Sequence, residues 1–110
     1  MATQMLLTKE LLKRFAHVGD QDGRGDEAEI VAHFFNPWGA GDWYATEYDP
    51  GTQMFFGYVN FNDPMFAELG YFSLPELAHA EVGPGGSLRL ERDSHWRVRT
   101  VGDIKREIGR

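Results

Sequence analysis

Residues 43–60, WYATEYDPGTQMFFGYVN, set two aromatic-rich runs on either side of Asp49-Pro50-Gly51-Thr52, and this arrangement predicts a β-hairpin at the centre of the chain. Pro50 presets the first turn dihedral, and Gly51 supplies the next position, where a positive φ is expected. With Tyr48 opposite Gln53, one face holds Trp43, Ala45, Glu47, Met54, Phe56 and Tyr58. The other then holds Tyr44, Thr46, Tyr48, Phe55, Gly57 and Val59. A three-residue loop with a bulge slips the register by one and regroups both sets, so both registers stay open. Either way both faces are apolar. Such a hairpin needs a sheet covered on both sides, or one covered side and one exposed aromatic surface.

The flanking segments define what surrounds the hairpin. Leu6, Leu7, Leu11, Leu12 and Phe15 recur at helical spacing, with Thr8 as cap and Leu7 and Leu12 spaced as a hydrophobic staple, predicting a helix over Lys9–Ala16. After the polar loop GDQDGRGDEAE, IVAHFF reads as a strand that stops at Asn36-Pro37. ELGYFS is a short strand running into a helix over Leu74–Ala80, capped by Ser73 with Pro75 in the first turn. SLRLERD and HWRVRTV alternate apolar with charged residues, as half-buried strands do. Val101, Ile104 and Ile108 stripe a closing helix that begins at Thr100 and Asp103. The order predicts an α+β fold: one domain over residues 1–110, with a mainly antiparallel sheet of about five strands and N-terminal, middle and C-terminal helices.

Charge and composition narrow the function classes. Residues 20–81 hold twelve carboxylates against Arg24 alone, whereas both ends are net basic. An acidic middle repels phosphates, so no direct nucleic-acid binding is expected there. With no cysteine there is no disulfide, thiolate or Cys-based zinc chemistry, which agrees with a reducing compartment. No apolar run approaches the roughly 20 residues of a membrane span, and MATQMLLTKELL lacks the charged start and long apolar stretch of a signal peptide. The expectation is a cytoplasmic protein with no membrane partner.

The short motifs offer little chemistry. In DQDGRGDEAE, Asp20, Asp22 and Gly25 match positions 1, 3 and 6 of a calcium loop, but Arg24 replaces an oxygen ligand and Val31 stands where the bidentate glutamate belongs. His17, His33, His79 and His95 have no paired metal-ligand spacing. GPGGS lacks the helix and lysine of a phosphate loop, and capping accounts for Ser73. No metal, cofactor or catalytic residue is assigned. The candidates that remain are for binding: Trp38, Trp43, Tyr44, Glu47, Tyr48 and Tyr58, large rings with polar handles beside a carboxylate. Gly57, between Phe56 and Tyr58, leaves a dent for a ligand or another backbone, or marks a bulge. The leading expectation is a non-enzymatic module whose aromatic, acidic hairpin binds another protein, one version being an acidic decoy in a nucleic-acid channel. The alternative is a small enzyme or ligand-binding protein using a hairpin cleft, with His33 and Glu47 as its acid–base pair.

The blocks LLTKELLKRF, FFNPWGAGDWYATEYDP, FFGYV, ELGYFSLPEL and LERDSHW, in this order, resemble a small bacterial family recorded as a protein of unknown function. The resemblance spans nearly the whole chain, and because members of that family are often carried on plasmids and conjugative elements, it implies an accessory protein of mobile DNA. It brings no catalytic residues with it. The chain departs from the pattern at SLRLERDSHWRV, where a more apolar, proline-containing passage is expected, and at the FNDPMFA insert.

Overall fold

The first helix starts where its cap dictates. In the computed structural model, which describes residues 5–61 and 67–108, Thr8 accepts a hydrogen bond from the Leu11 N–H and opens α1 (Lys9–Val18). Phe15 is buried, Leu7 and Leu11 are partly buried, and Leu12, expected in the staple, faces solvent. Residues 62–66, most of the FNDPMFA insert, lie outside the described residues.

The expected strand IVAHFF divides into β1 (Glu29–Ile30) and β2 (Ala32–Phe35), because the Val31 N–H turns to the Ala45 carbonyl at 2.8 Å. The hairpin is β3 (Asp42–Asp49) and β4 (Met54–Asn60), followed by β5 (Glu68–Ser73), α2 (Leu74–His79) and β6 (Glu81–Val82). SLRLERD contributes two short strands to different partners, β7 (Leu88–Arg89) beside β6 and β8 (Glu91–Arg92) beside β2. From HWRVRTV only β9 (Arg99–Thr100) pairs, with β1, before α3 (Val101–Ile108). The main sheet is antiparallel, in the order β5-β4-β3-β2-β8, giving the expected α+β fold. No helix among the described residues is long and apolar enough to cross a membrane.

The hairpin register overturns the simplest expectation. Tyr48 pairs with Phe55 and Asp49 with Met54, and the ladder shifts at Thr46, between the Ala45–Gly57 and Glu47–Phe56 pairs. This bulge changes which way β3 points its side chains. Trp43, Ala45 and Tyr48 share the α1 and α2 core with Phe55 and Val59, while Tyr44 joins Tyr58 in the core under α3. Glu47 therefore leaves the grouping with Trp43 and Ala45. Thr46 is buried and bonded twice: its hydroxyl donates to the Phe56 carbonyl at 3.0 Å, and its carbonyl accepts from Gln21 Nε2 at 2.6 Å.

The loop also corrects the glycine assignment. Gly51 has no positive φ; Gln53 does, at 58°, with its N–H on the Asp49 carbonyl at 2.8 Å. Asp49 Oδ1 accepts the Gly51 N–H and organises the turn from its side chain. A left-handed residue with a Cβ is strained, so Gln53→Gly is expected to raise stability by about 0.5–1 kcal/mol, while Gly51→Ala stays within about 0.5 kcal/mol of the parent. Urea midpoints check both. A loss at Gln53→Gly with a comparable loss at Gly51→Ala would return the left-handed position to residue 51.

Candidate functional site

One face of the sheet is covered by α1 and α2; the other is covered only in part. Val101 and Ile104 of α3 pack over Tyr44, Tyr58 and Ile30, and Lys105 Nζ lies 5.8 Å from the Tyr58 ring centre. That covering does not extend to the next row across the strands, where Glu47, Phe56 and Tyr71 are successive cross-strand neighbours. Phe56 and Tyr71 meet edge to face at 4.9 Å, and Tyr71 is 75% exposed. The second possibility for a doubly apolar hairpin is thus realised over part of one face, at Tyr71.

This row borders an open cleft of about 750 Å³ between the C-terminal end of α1 and the hairpin. Its apolar lining comes from Phe15, Tyr48, Met54, Phe56 and Tyr71. Asp20, Glu47 and Asp49 stand on its wall, and Asp22 joins Asp20 and Glu47 in an adjoining hollow of about 300 Å³. None of these four carboxylates has an ion-pair partner among the described residues, unlike Asp26 with Lys105, Glu29 with Arg14 and Asp103 with Arg106. The loop bearing Asp20 and Asp22 is held by Gln21, a buried side chain whose amide donates to the Glu29 and Thr46 carbonyls and accepts the Glu29 N–H at 2.6 Å. Asp20 caps its own turn through the Asp22 N–H. The segment with partial calcium-loop spacing is a pinned turn that projects carboxylates toward Glu47.

Burial holds the Glu47 carboxyl above its ordinary value, the charges of Asp20 and Asp22 add to this, and a hydrogen bond from the Gln21 backbone opposes it. A carboxyl with a raised folded-state pKa binds its proton more tightly folded than unfolded. Its ionisation therefore weakens the fold as pH climbs from the ordinary value of 4.5 through the raised one, and the penalty is complete above that. Glu47→Gln is expected to be more stable than the parent at pH 7, with the difference closing as the pH falls below 4.5. Thermal unfolding across this range checks the sign, and a variant that loses ground as pH rises would contradict it.

The six candidates do not converge. Glu47 and Tyr48 line the cleft, where burial, and then Asp49, push the Tyr48 hydroxyl up. Tyr44 and Tyr58 are buried under α3, and burial with the nearby Asp42 charge raises the Tyr44 hydroxyl well above the usual tyrosine range. Trp43 packs against the core and meets Phe61 edge to face. Trp38 is 64% exposed in the loop before β3, with its N–H on Asn36 Oδ1, apart from the cleft. Phe56, Tyr71, Asp20 and Asp22 were not among the candidates. Their signal was present only as strand alternation in ELGYFS and as carboxylates in the abortive calcium motif.

His33 belongs to a separate constellation. Its Nε2 lies 2.7 Å from Asp42 Oδ1, its Nδ1 lies 3.2 Å from Asp93 Oδ2, and its ring stacks on Tyr44 at 4.6 Å. Both nitrogens are thus engaged by carboxylates other than Glu47, and the proposed His33–Glu47 pair is not formed. His33 ties β2 and β3 to the segment after β8, reinforced by the Asp93 N–H on the His33 carbonyl. Among the described residues no group of three or more His, Asp or Glu side chains is arranged to hold a metal ion.

Fold and cleft together define an α+β protein with an open aromatic recess rimmed by carboxylates that have no ion-pair partner among the described residues. The sequence matches a family model described as "Protein of unknown function (DUF2958)" over residues 6–101, and the chain belongs to that family. No curated protein and no solved structure matches it.

Proposed function

We propose that the protein is a non-enzymatic interaction module that receives a positively charged segment of another protein in the cleft beside Glu47, Phe56 and Tyr71. The observation that carries this reading is the Glu47–Phe56–Tyr71 row, which α3 leaves open to solvent at Tyr71, with Asp20, Asp22 and Asp49 around it and no ion-pair partner for any of the four carboxylates among the described residues. Exposed rings supply the contact area that dominates binding energy, and rim charges steer an oppositely charged partner. An enclosed pocket uniting Glu47 with His33 would have favoured acid–base chemistry; the cleft is open, and His33 is committed elsewhere. The accessory role on bacterial mobile DNA belongs with this reading, as does a cytoplasmic setting. A basic channel that normally receives nucleic acid has the charge this face complements, which is the chemistry of the decoy version.

A photo-crosslinking residue at position 71, in the native host, is expected to capture a partner through a basic segment, while the same residue at position 38 captures none. Tyr71→Ala is expected to weaken that partner's affinity by about 2 kcal/mol, roughly 30-fold. Glu47→Gln should act mainly on the association rate and its salt dependence. Adducts at position 38 alone, or unchanged affinity in a folded Tyr71→Ala protein, would refute the reading.

A further inference from the structure

The outer edge of β5 lies next to the cleft face. β5 ends the main sheet, pairs with β4 without interruption over Glu68–Ser73, and has no backbone partner on its other side among the described residues. The direction of its backbone groups follows from two bonds. The Leu74 N–H donates to the Gln53 carbonyl at 3.0 Å, so residues of the same parity, Phe72 and Gly70, turn toward β4. Thr46 Oγ1 donates to the Phe56 carbonyl, so Phe56 faces β3, and its partner Tyr71 points its N–H and C=O away from β4. Leu69 and Tyr71 therefore present backbone donors and acceptors outward, and their side chains are exposed, at 44% and 75%, as is the acidic Glu68 beside them.

Edge strands are commonly guarded by lysine, proline, a bulge or short length. β5 has six residues, no lysine or proline and an unbroken register. From this edge and the charge beside it we infer that an extended partner segment with alternating basic and apolar side chains adds to β5 as a sixth strand. This rests on the function proposed above and supplies its binding mode. Main-chain bonds to Leu69 and Tyr71 hold the segment, and alternate side chains fall on the cleft face. A basic side chain opposite Tyr71 sits over its ring, and Tyr71 in turn lies two strand spacings, roughly 10 Å, from Glu47 in the same cross-strand row. A second copy of this chain is disfavoured at the same edge, because each carries a net charge of −6 and would bring its own acid-rimmed face to the junction.

The probe is an acetylated, amidated peptide of about ten residues alternating lysine and valine, titrated into the full chain while amide exchange is followed by NMR. Saturable binding is expected, with exchange of the Leu69 and Tyr71 amides slowed at least about 10-fold. A peptide N-methylated at the lysines or at the valines, whichever turn inward, should lose binding, as should a glutamate–valine peptide. Leu69→Pro removes an outward donor while leaving the β4 ladder intact and should lose binding while Tyr71 and the carboxylates remain. The N-methylated peptides test the same bond without altering the protein. Binding of the lysine–valine peptide with unchanged Leu69 and Tyr71 exchange, and indifference to N-methylation in both phases, would overturn strand addition and leave the cleft reading standing. No peptide binding, with crosslinking at position 71 retained, would do the same; loss of both removes both. A peptide-free dimer broken by Leu69→Pro would assign the edge to a second copy and overturn the proposal.

Discussion

Gly57→Ala is expected to lower stability by about 3 kcal/mol or more, enough to drop the unfolding temperature by roughly 15 °C. A Cβ at residue 57 would overlap the Tyr44 carbonyl oxygen and lie 2.8 Å from its carbon and 2.9 Å from Ala45 Cα. These are backbone atoms of the paired strand, so no rotamer change relieves the clash. β4 is also flanked by β3 and β5, and shifting it disturbs two ladders. The dent that glycine leaves is filled by the chain's own β3 just before the Thr46 bulge. Gly70, opposite Gly57 on β5, provides the internal control: a Cβ there meets nothing within 4 Å. Gly70→Ala should therefore cost little or gain slightly. Equal losses at the two positions would show that strand glycine entropy, rather than close approach to β3, governs the effect.

The sequence announces the elements whose signals are local. Thr8 and Ser73 cap the helices they were expected to cap, and Thr100 and Asp103 exchange hydrogen bonds at the start of α3. The hairpin is found from Asp49-Pro50-Gly51. Its register is less legible, because the left-handed residue is Gln53, a type with no preference for that conformation, and because the bulge at Thr46 is fixed by distant Gln21 and Phe56. Strand lengths in residues 88–100 are set by tertiary partners: two-residue strands pair where β2, β6 and β1 happen to lie, and alternation in the sequence overstates them. The candidate site suffers from the same cause. Tyr44, Tyr58, Phe56 and Tyr71 are alike in composition, and only the placement of α3 decides which pair is core and which is surface.

Adjacent phenylalanines in β4 put that division to a quantitative test, with Phe55→Ala expected to cost about 3–5 kcal/mol and Phe56→Ala markedly less. Successive strand residues point to opposite faces. Phe55 is fully buried, with ring centres at 4.7 Å to Tyr48, 5.2 Å to Phe34, 5.3 Å to Phe72 and 5.8 Å to Phe15. Truncation there opens a cavity bounded by strands on one side and α1 on the other, and four rings lose a partner at once. Phe56 lies on the partly uncovered face, with Tyr71 as its ring partner and solvent within reach, so its loss is absorbed by side-chain rearrangement. Its effect should appear in binding instead. Urea unfolding of both variants, followed by partner capture with whichever protein remains folded, separates the two faces. The expected pattern is a large fall in midpoint for Phe55→Ala, and for Phe56→Ala a small fall with a clear loss of capture. If Phe56→Ala proves the more destabilising, the covered and uncovered faces are exchanged and the cleft ceases to be a surface on which a partner can act.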